Sequence, residues 1–275
     1  MKRILFVLMT SVILFSGNGE LAAQEEKVLE EVVAGEADGP ALNFGADLMS
    51  RYIWRGIDFG NAPAIQPNLA FTWKGLNAGV WGSYGLAPYS LAIDDTTIIN
   101  MGNYAETDFY VSYTYKWFTV MVFDFFLPNG LNPNDGNRFY DFNNKTTGHT
   151  IEGSISFNGT EGFPMQILVG TLLWGADKDK DADGNIGFGE KNNYSTYAEI
   201  NYNFELEKLK MSLKPFLGAS LKESAWYGKD PGIINAGFTV RKEITVTPTF
   251  SIPAQLSLIT NPQAERFFFV FGITL

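Results

Sequence analysis

The chain has 275 residues, of which 45% are hydrophobic and 15% aromatic, with 28 glycines, a mean hydropathy of -0.04 and a formal net charge of -10. The acidic balance argues against nucleic acid as a partner, and with no cysteine in the sequence no disulfide framework can hold the fold. No internal stretch is long and apolar enough for a transmembrane helix, so the mature chain is either soluble in the periplasm or beyond, or a β-barrel, and its many aromatics and glycines at near-neutral mean hydropathy lean towards the barrel.

Lys2 and Arg3 precede a mostly apolar run over 4–15, and Leu21-Ala22-Ala23-Gln24 offers small residues to a signal peptidase. This predicts a secretory signal peptide over 1–23, cleaved after Ala23 or Gln24. Gly17, Asn18 and Gly19 end the run before the roughly 18 apolar residues that a bilayer-crossing helix takes. Residues 24–41 are rich in Glu, Ala, Val and Gly, show no alternation, and read as a periplasmic tail.

From there to the last residue the sequence alternates with period 2. Over 209–221, Leu209, Met211, Leu213, Leu217 and Leu221 alternate with Lys210, Ser212, Lys214, Gly218 and Ser220. Strands are expected near 42–55, 64–74, 76–86, 103–115, 117–127, 149–158, 163–175, 193–205, 209–221, 233–242, 243–259 and 264–275. Links at 74–76, 115–117, 158–162, 205–208 and 242–243 are short. Those at 56–63, 87–102, 128–148, 176–192 and 222–232 are long, and only the last, at 260–263, is brief. An even strand number with short turns on one side and long loops on the other is the pattern of an outer-membrane barrel. The expected fold of 42–275 is therefore all-β, a twelve-stranded antiparallel transmembrane β-barrel with short periplasmic turns and long extracellular loops. A soluble sandwich would have to turn the apolar faces of all twelve strands into one small core.

Aromatic residues are expected to form two interfacial girdles, with Tyr52, Trp54, Tyr84 and Tyr194 at the outer ends and Trp73, Tyr113, Tyr115, Trp117 and Tyr202 at the inner ends. The final strand, Phe267, Phe269, Phe271, Ile273 and Leu275 on one face, resembles the C-terminal signal read by the barrel-assembly machinery, with Leu in place of the usual Phe. Expected partners are that machinery, outer-membrane lipid and small polar solutes.

If the apolar face is outward, the inward charges are Asp47, Arg51, Arg55, Glu106, Asp108, Asp124, Glu152, Glu199, Lys210, Lys214, Arg241 and Arg266. Asp124 then shares its inward face with Phe118, Val120 and Val122, and Gln166 shares one with Leu168 and Leu172. Bases gather near the seam between the last strand and the first, and most acids lie on the opposite wall. Such segregation sets up a transverse field in a narrow channel, unless the charges pair and close the lumen. The functional expectation is a porin-like channel for small polar solutes. The alternative is a closed structural or adhesive barrel.

The segments Ser50-Arg51-Tyr52-Ile53-Trp54-Arg55-Gly56, Ala64-Ile65-Gln66-Pro67 and Gly79-Val80-Trp81-Gly82-Ser83-Tyr84 resemble the opening of the TorF-like porin family. The resemblance covers the first three strands and implies an outer-membrane channel-like protein without naming a solute.

Between two expected strands, Asp179, Asp181, Asp183, Gly184, Asn185 and Glu190 stand at positions 1, 3, 5, 6, 7 and 12 of an EF-hand loop. That spacing wraps side-chain oxygens and the Asn185 carbonyl about one Ca²⁺. Strands rather than helices flank it, so the expectation is structural calcium of modest affinity rather than a helix-loop-helix sensor. Outer-membrane phospholipases also have twelve strands, but the sole histidine, His149, has Ile151 where such an enzyme places its serine, and Ser154 and Ser156 face the other way. No enzymatic activity is expected.

Overall fold

A computed structural model describes residues 39–92, 98–128 and 138–275; the signal peptide and nearly all of the tail expected at 24–41 lie outside them. Among the described residues fifteen strands form: β1 (Ala41–Met49), β2 (Tyr52–Trp54), β3 (Ile57–Phe59), β4 (Ala64–Trp73), β5 (Leu76–Ala92), β6 (Ile98–Tyr115), β7 (Phe118–Phe126), β8 (His149–Phe157), β9 (Met165–Gly175), β10 (Thr196–Tyr202), β11 (Phe204–Leu206), β12 (Met211–Ser220), β13 (Gly232–Thr247), β14 (Phe250–Asn261) and β15 (Arg266–Thr274). Every wall strand pairs antiparallel with its neighbours, β1 meets β15 at the seam, and β10 meets β12, so the sheet closes. Since β11 continues β10 after a break at Asn203, the wall has twelve staves. Closure leaves no sheet edge around the circumference, so the ladder can hold without a disulfide.

Alternation fixes the faces. Along β4 the inward Gln66, Asn68, Ala70 and Thr72 are buried, while the outward Leu69, Phe71 and Trp73 are exposed. The outward face is apolar around the seam as well: Leu42 is 72% exposed, Phe44 84%, and Phe267, Phe269 and Phe271 line β15. Trp73, Tyr113, Tyr115 and Trp117 lie exposed at the end of the tight turns, and Tyr84 and Tyr194 at the other.

Three expectations are corrected. The first expected strand, 42–55, ends at Met49, and the chain then dives into the barrel as the β2–β3 hairpin. Tyr52 and Trp54, expected in the outer girdle, are consequently 2% and 4% exposed. The turn expected at Lys242 and Glu243 falls instead between β13 and β14, after Thr247. Pro248 suits a turn because it gives up no ladder donor, whereas the alternation of Ile244 and Val246 with Thr245 simply continues the strand. Finally, on β7 the buried, inward side chains are Thr119, Met121, Phe123 and Phe125, so Phe118, Val120 and Val122 face outward, and Asp124 with them. Leu168 and Leu172 do share the inward face with Gln166, and Leu172 is fully buried.

Candidate functional site: a hairpin held in the lumen

The hairpin's local chemistry explains its shape. Trp54 pairs with Ile57, which leaves Arg55 and Gly56 as a two-residue turn with φ of 50° and 77°. Positive φ at both central positions is the type I′ geometry favoured by tight hairpins. Glycine takes it freely, and a Cβ on Gly56 would stand 1.9 Å from the Ile234 carbonyl oxygen. Arginine does not: the left-handed region costs an L-residue roughly 1–2 kcal/mol. Arg55 is there for its side chain.

That side chain is almost wholly buried and crosses to β8, where Nη1 donates to Glu152 Oε2 at 2.7 Å and Nη2 to Oε1 at 2.8 Å. The bidentate fork is the strongest common pairing of these groups. Nη1 also donates to the Tyr227 hydroxyl. The guanidinium carbon lies 4.5 Å from the Trp54 ring centre, 4.6 Å from that of Tyr197 and 5.7 Å from that of Tyr227, all within cation–π range. One cation thus sits in a cage of one carboxylate and three aromatic rings.

The cage is braced from behind. Tyr197 donates to Glu199 Oε2 at 2.5 Å, and Asn235 Nδ2 donates to both the Tyr197 hydroxyl and Glu199, each at 3.0 Å. Two wall positions give it room: a Cβ on Gly170 would meet Glu152 Oε1 at 2.5 Å, and one on Gly218 would meet the Tyr197 hydroxyl at 1.9 Å. Tyr227 arrives from the loop 221–231, where Ser224 Oγ accepts the N–H groups of Trp226 (2.9 Å) and Tyr227 (3.2 Å). Ser224 is tied in turn to the loop 176–195, because its Oγ lies 2.6 Å from Ser195 Oγ, which donates to Asp177 at 2.5 Å. Burial raises the Asp177 carboxyl above the ordinary range, against the hydrogen bonds from Ser195 and the charges of Lys222 and Lys178.

The rest of the hairpin packs as an aromatic plug. Tyr52 touches Phe59, Trp81 and Tyr104, and Trp54 touches Phe59, Phe125 and Trp226. Arg51 Nη1 pairs with Asp58 at 2.5 Å across the hairpin, and Asn261 Nδ2 donates to the Gly56 carbonyl at 3.2 Å. A cavity of about 40 Å³, lined in part by Asp47, Arg51, Gln66, Asn235, Gln255 and Ser257, adjoins the plug and has room for water.

The charges expected inward divide as follows. Asp47, Glu106, Asp108, Glu152, Glu199 and Lys214 are buried on inward positions, and Arg241 is half-buried beside them. Arg51 and Arg55 belong to the plug rather than the wall. Lys210 is exposed at the tight-turn end, and Arg266 is exposed at the loop end. Asp124, corrected above, meets His149 on the outer face, with its two carboxylate oxygens 2.9 and 3.0 Å from His149 Nδ1. His149 Nε2 is 2.6 Å from the Phe139 carbonyl, and Phe126, Phe139 and Phe142 surround the ring, so the segment 138–148 lies over the barrel rim. Of the bases expected inward, only Lys214 and Arg241 remain on the inner wall, and Arg55 pairs with the wall acid Glu152.

In the loop 179–190, Gly184 takes φ 87°, the sharp turn expected of it. Asp181 accepts the N–H groups of Asp183 and Asn185 and the Asn185 amide, and Asp179 Oδ1 accepts the N–H of Lys191. Glu190 is exposed and pairs with Lys145 at 3.2 Å. Among the described residues no three carboxylate, histidine or cysteine groups are gathered as a metal centre. As it stands, Asp179 and Asp181 turn oxygens to the loop's own backbone, and Glu190 lies on Lys145.

Sequence reasoning found Arg55 and Glu152 but not that they meet, and it missed Trp54, Tyr197 and Tyr227 as the cage. The available signal was Arg-Gly between Trp54 and Ile57, a turn dipeptide inside an alternating run.

The architecture defines a class, a closed twelve-stranded antiparallel β-barrel with an internal hairpin. A model of a bacterial protein family of unknown function, Gcw_chp, matches residues 34–225, more than half of the sequence, and the chain belongs to that family. No curated protein matches it.

Proposed function

We propose that the chain is an outer-membrane barrel of the porin-like kind, exported by its leader, whose channel for small polar solutes is shut at rest by the β2–β3 hairpin. The apolar outward face supports the membrane location, since lipid accepts every such face at once. The observation that carries the channel reading is that a short, non-covalently held hairpin lies buried inside the barrel. Its contacts are a salt bridge, hydrogen bonds and ring packing. Towards the tight turns the inward wall is small and polar, with Thr72, Asn77, Ser112, Thr119 and Ser156. The TorF-like opening residues Arg51 to Gly56 fall on this hairpin.

Single-channel recording in planar bilayers tests it. The full chain should be mostly silent with brief openings. A variant in which residues 50–63 are replaced by a short Gly-Ser link should conduct steadily. A silent hairpin-free barrel that still migrates as a folded, heat-modifiable species would leave the closed structural barrel as the function.

Calcium enters this reading through the sequence pattern alone, and an ion would have to draw Glu190 from Lys145. Calorimetric titration with Ca²⁺ against Asp179→Ala plus Glu190→Ala measures it, and equal heats end it. No hydrolytic activity is proposed, and a lipid-hydrolysis assay with His149→Ala is the check.

A further inference from the structure

We infer that the cage around Arg55 is a binding site for small organic cations bearing a guanidinium or ammonium group, with Arg55 as its tethered stand-in. The inference rests on the reading of the hairpin as a displaceable plug, and it names the solute class that would displace it.

Three observations converge on a built site. The carboxylate of Glu152 is fully buried and meets the guanidinium through two parallel hydrogen bonds of 2.7 and 2.8 Å, the geometry that recognises this group rather than a generic charge. Tyr197 and Tyr227 offer ring faces to the same cation, as cages for alkylated ammonium groups do. The wall holds Gly170 and Gly218 where any side chain would collide with Glu152 or Tyr197, so the wall leaves the cage space to form.

Arg55, by contrast, occupies the site at the tip of a two-residue turn in a backbone conformation unfavourable to arginine. The occupant carries the positive φ, whereas Glu152, Tyr197 and Tyr227 do not. A tethered ligand competes through its high effective concentration, and its backbone strain lowers that advantage. A free cation that enters the lumen therefore exchanges for Arg55, and the hairpin leaves with it.

The test uses the full chain in detergent, with methylguanidinium as probe and methylurea as its uncharged isostere, followed by tryptophan fluorescence because Trp54 and Trp226 flank the site. Arg55→Gly relieves the turn and vacates the cage. It should bind methylguanidinium and not methylurea, and adding Glu152→Gln should weaken that binding by about tenfold or more, the loss expected when hydrogen bonds to a charged group go. The wild-type chain should give the same response at higher probe concentration, and this titration needs no variant to fold. A wild-type chain that never responds, or one that responds equally to methylurea, overturns the inference. A folded Arg55→Gly variant that ignores the probe overturns it too. The two readings separate cleanly. Binding without conductance in the hairpin-free barrel sinks the channel and keeps the cage, and conductance with no binding does the reverse.

Discussion

Two segments of this barrel look alike in sequence and end in opposite places. Residues 50–55 and 243–253 both prolong the alternation of a wall strand. The first turns inward, where Tyr52 to Arg55 are buried, while the second runs on past the wall as the tip of the β13–β14 hairpin, with most of its residues exposed. Below Arg241, β13 loses its β12 partner, whose pairing stops at Ser212, and β14 keeps β15 only as far as Ala254. The difference lies in what each tip meets. Arg55 finds a carboxylate and three rings, whereas the turn after Thr247 has only its own hairpin.

The comparison is broken most severely at Glu152. Glu152→Leu leaves the Arg55 charge buried without its carboxylate, and removing one partner of such a pair costs about 3–5 kcal/mol. Hydrogen exchange should show the amides of 52–59 losing protection by that order while those of the wall strands hold. Arg55→Gly with Glu152→Leu should be milder than Glu152→Leu alone, because no unpaired charge remains; a double variant at least as damaged would mean that packing, not the ion pair, keeps the hairpin in place.

Gly56→Ala is expected next. It forces a Cβ into the left-handed region, at roughly 1–2 kcal/mol, and against the Ile234 carbonyl oxygen. The hairpin amides should exchange faster by tenfold or somewhat more, as about 1.4 kcal/mol is a factor of ten. The same change at Gly39, where nothing stands near the added carbon, should leave them untouched.

A smaller effect is expected where the loops 176–195 and 221–231 steady the cage. The Asp177 carboxyl lies above its ordinary value because of burial. The folded state therefore binds more protons than the unfolded one between the ordinary carboxylate value and the raised one. Stability from this group falls as pH rises through that window and is flat above it. Melting temperatures of the wild type and Asp177→Asn, measured in micelles across the acidic range, should differ in slope only there. Parallel curves would remove Asp177 from the account.

Much of this was legible from residue pattern alone. Gln66, Asn68 and Thr72 against Phe71 and Trp73 state the two faces of β4 without ambiguity, and twelve such strands suffice to close a barrel. What alternation does not carry is where the wall ends. Tyr52 and Trp54 fit an interfacial girdle and an aromatic plug equally well, because each offers an apolar body and a polar tip to either setting. On β7 both faces are apolar, with Phe118, Val120 and Val122 opposite Met121, Phe123 and Phe125, so a single charge at Asp124 tipped the reading the wrong way. Its partner His149 lies 25 residues away, beyond the reach of any local pattern. The cage was illegible for the same reason: Glu152 and Tyr197 come from two wall strands, Arg55 from the inner hairpin and Tyr227 from a loop.

The smallest effect belongs to the projecting hairpin, and it tests the comparison from the other side. Ile244, Val246 and Phe250 are apolar but exposed on the outward face of a segment with no third strand beside it. Ile244→Ser plus Val246→Ser removes apolar area that the fold does not bury, and surface changes of this kind stay within about 0.5 kcal/mol. The doubly substituted barrel should melt with the wild type and keep the protection of 52–59. Two residues of the same character as those in the plug would then be dispensable at one end of the barrel and decisive at the other. If instead the double variant fails to assemble or melts several degrees lower, the projecting tip is packed against something in the native protein, and its contrast with the plug is one of partners rather than of burial.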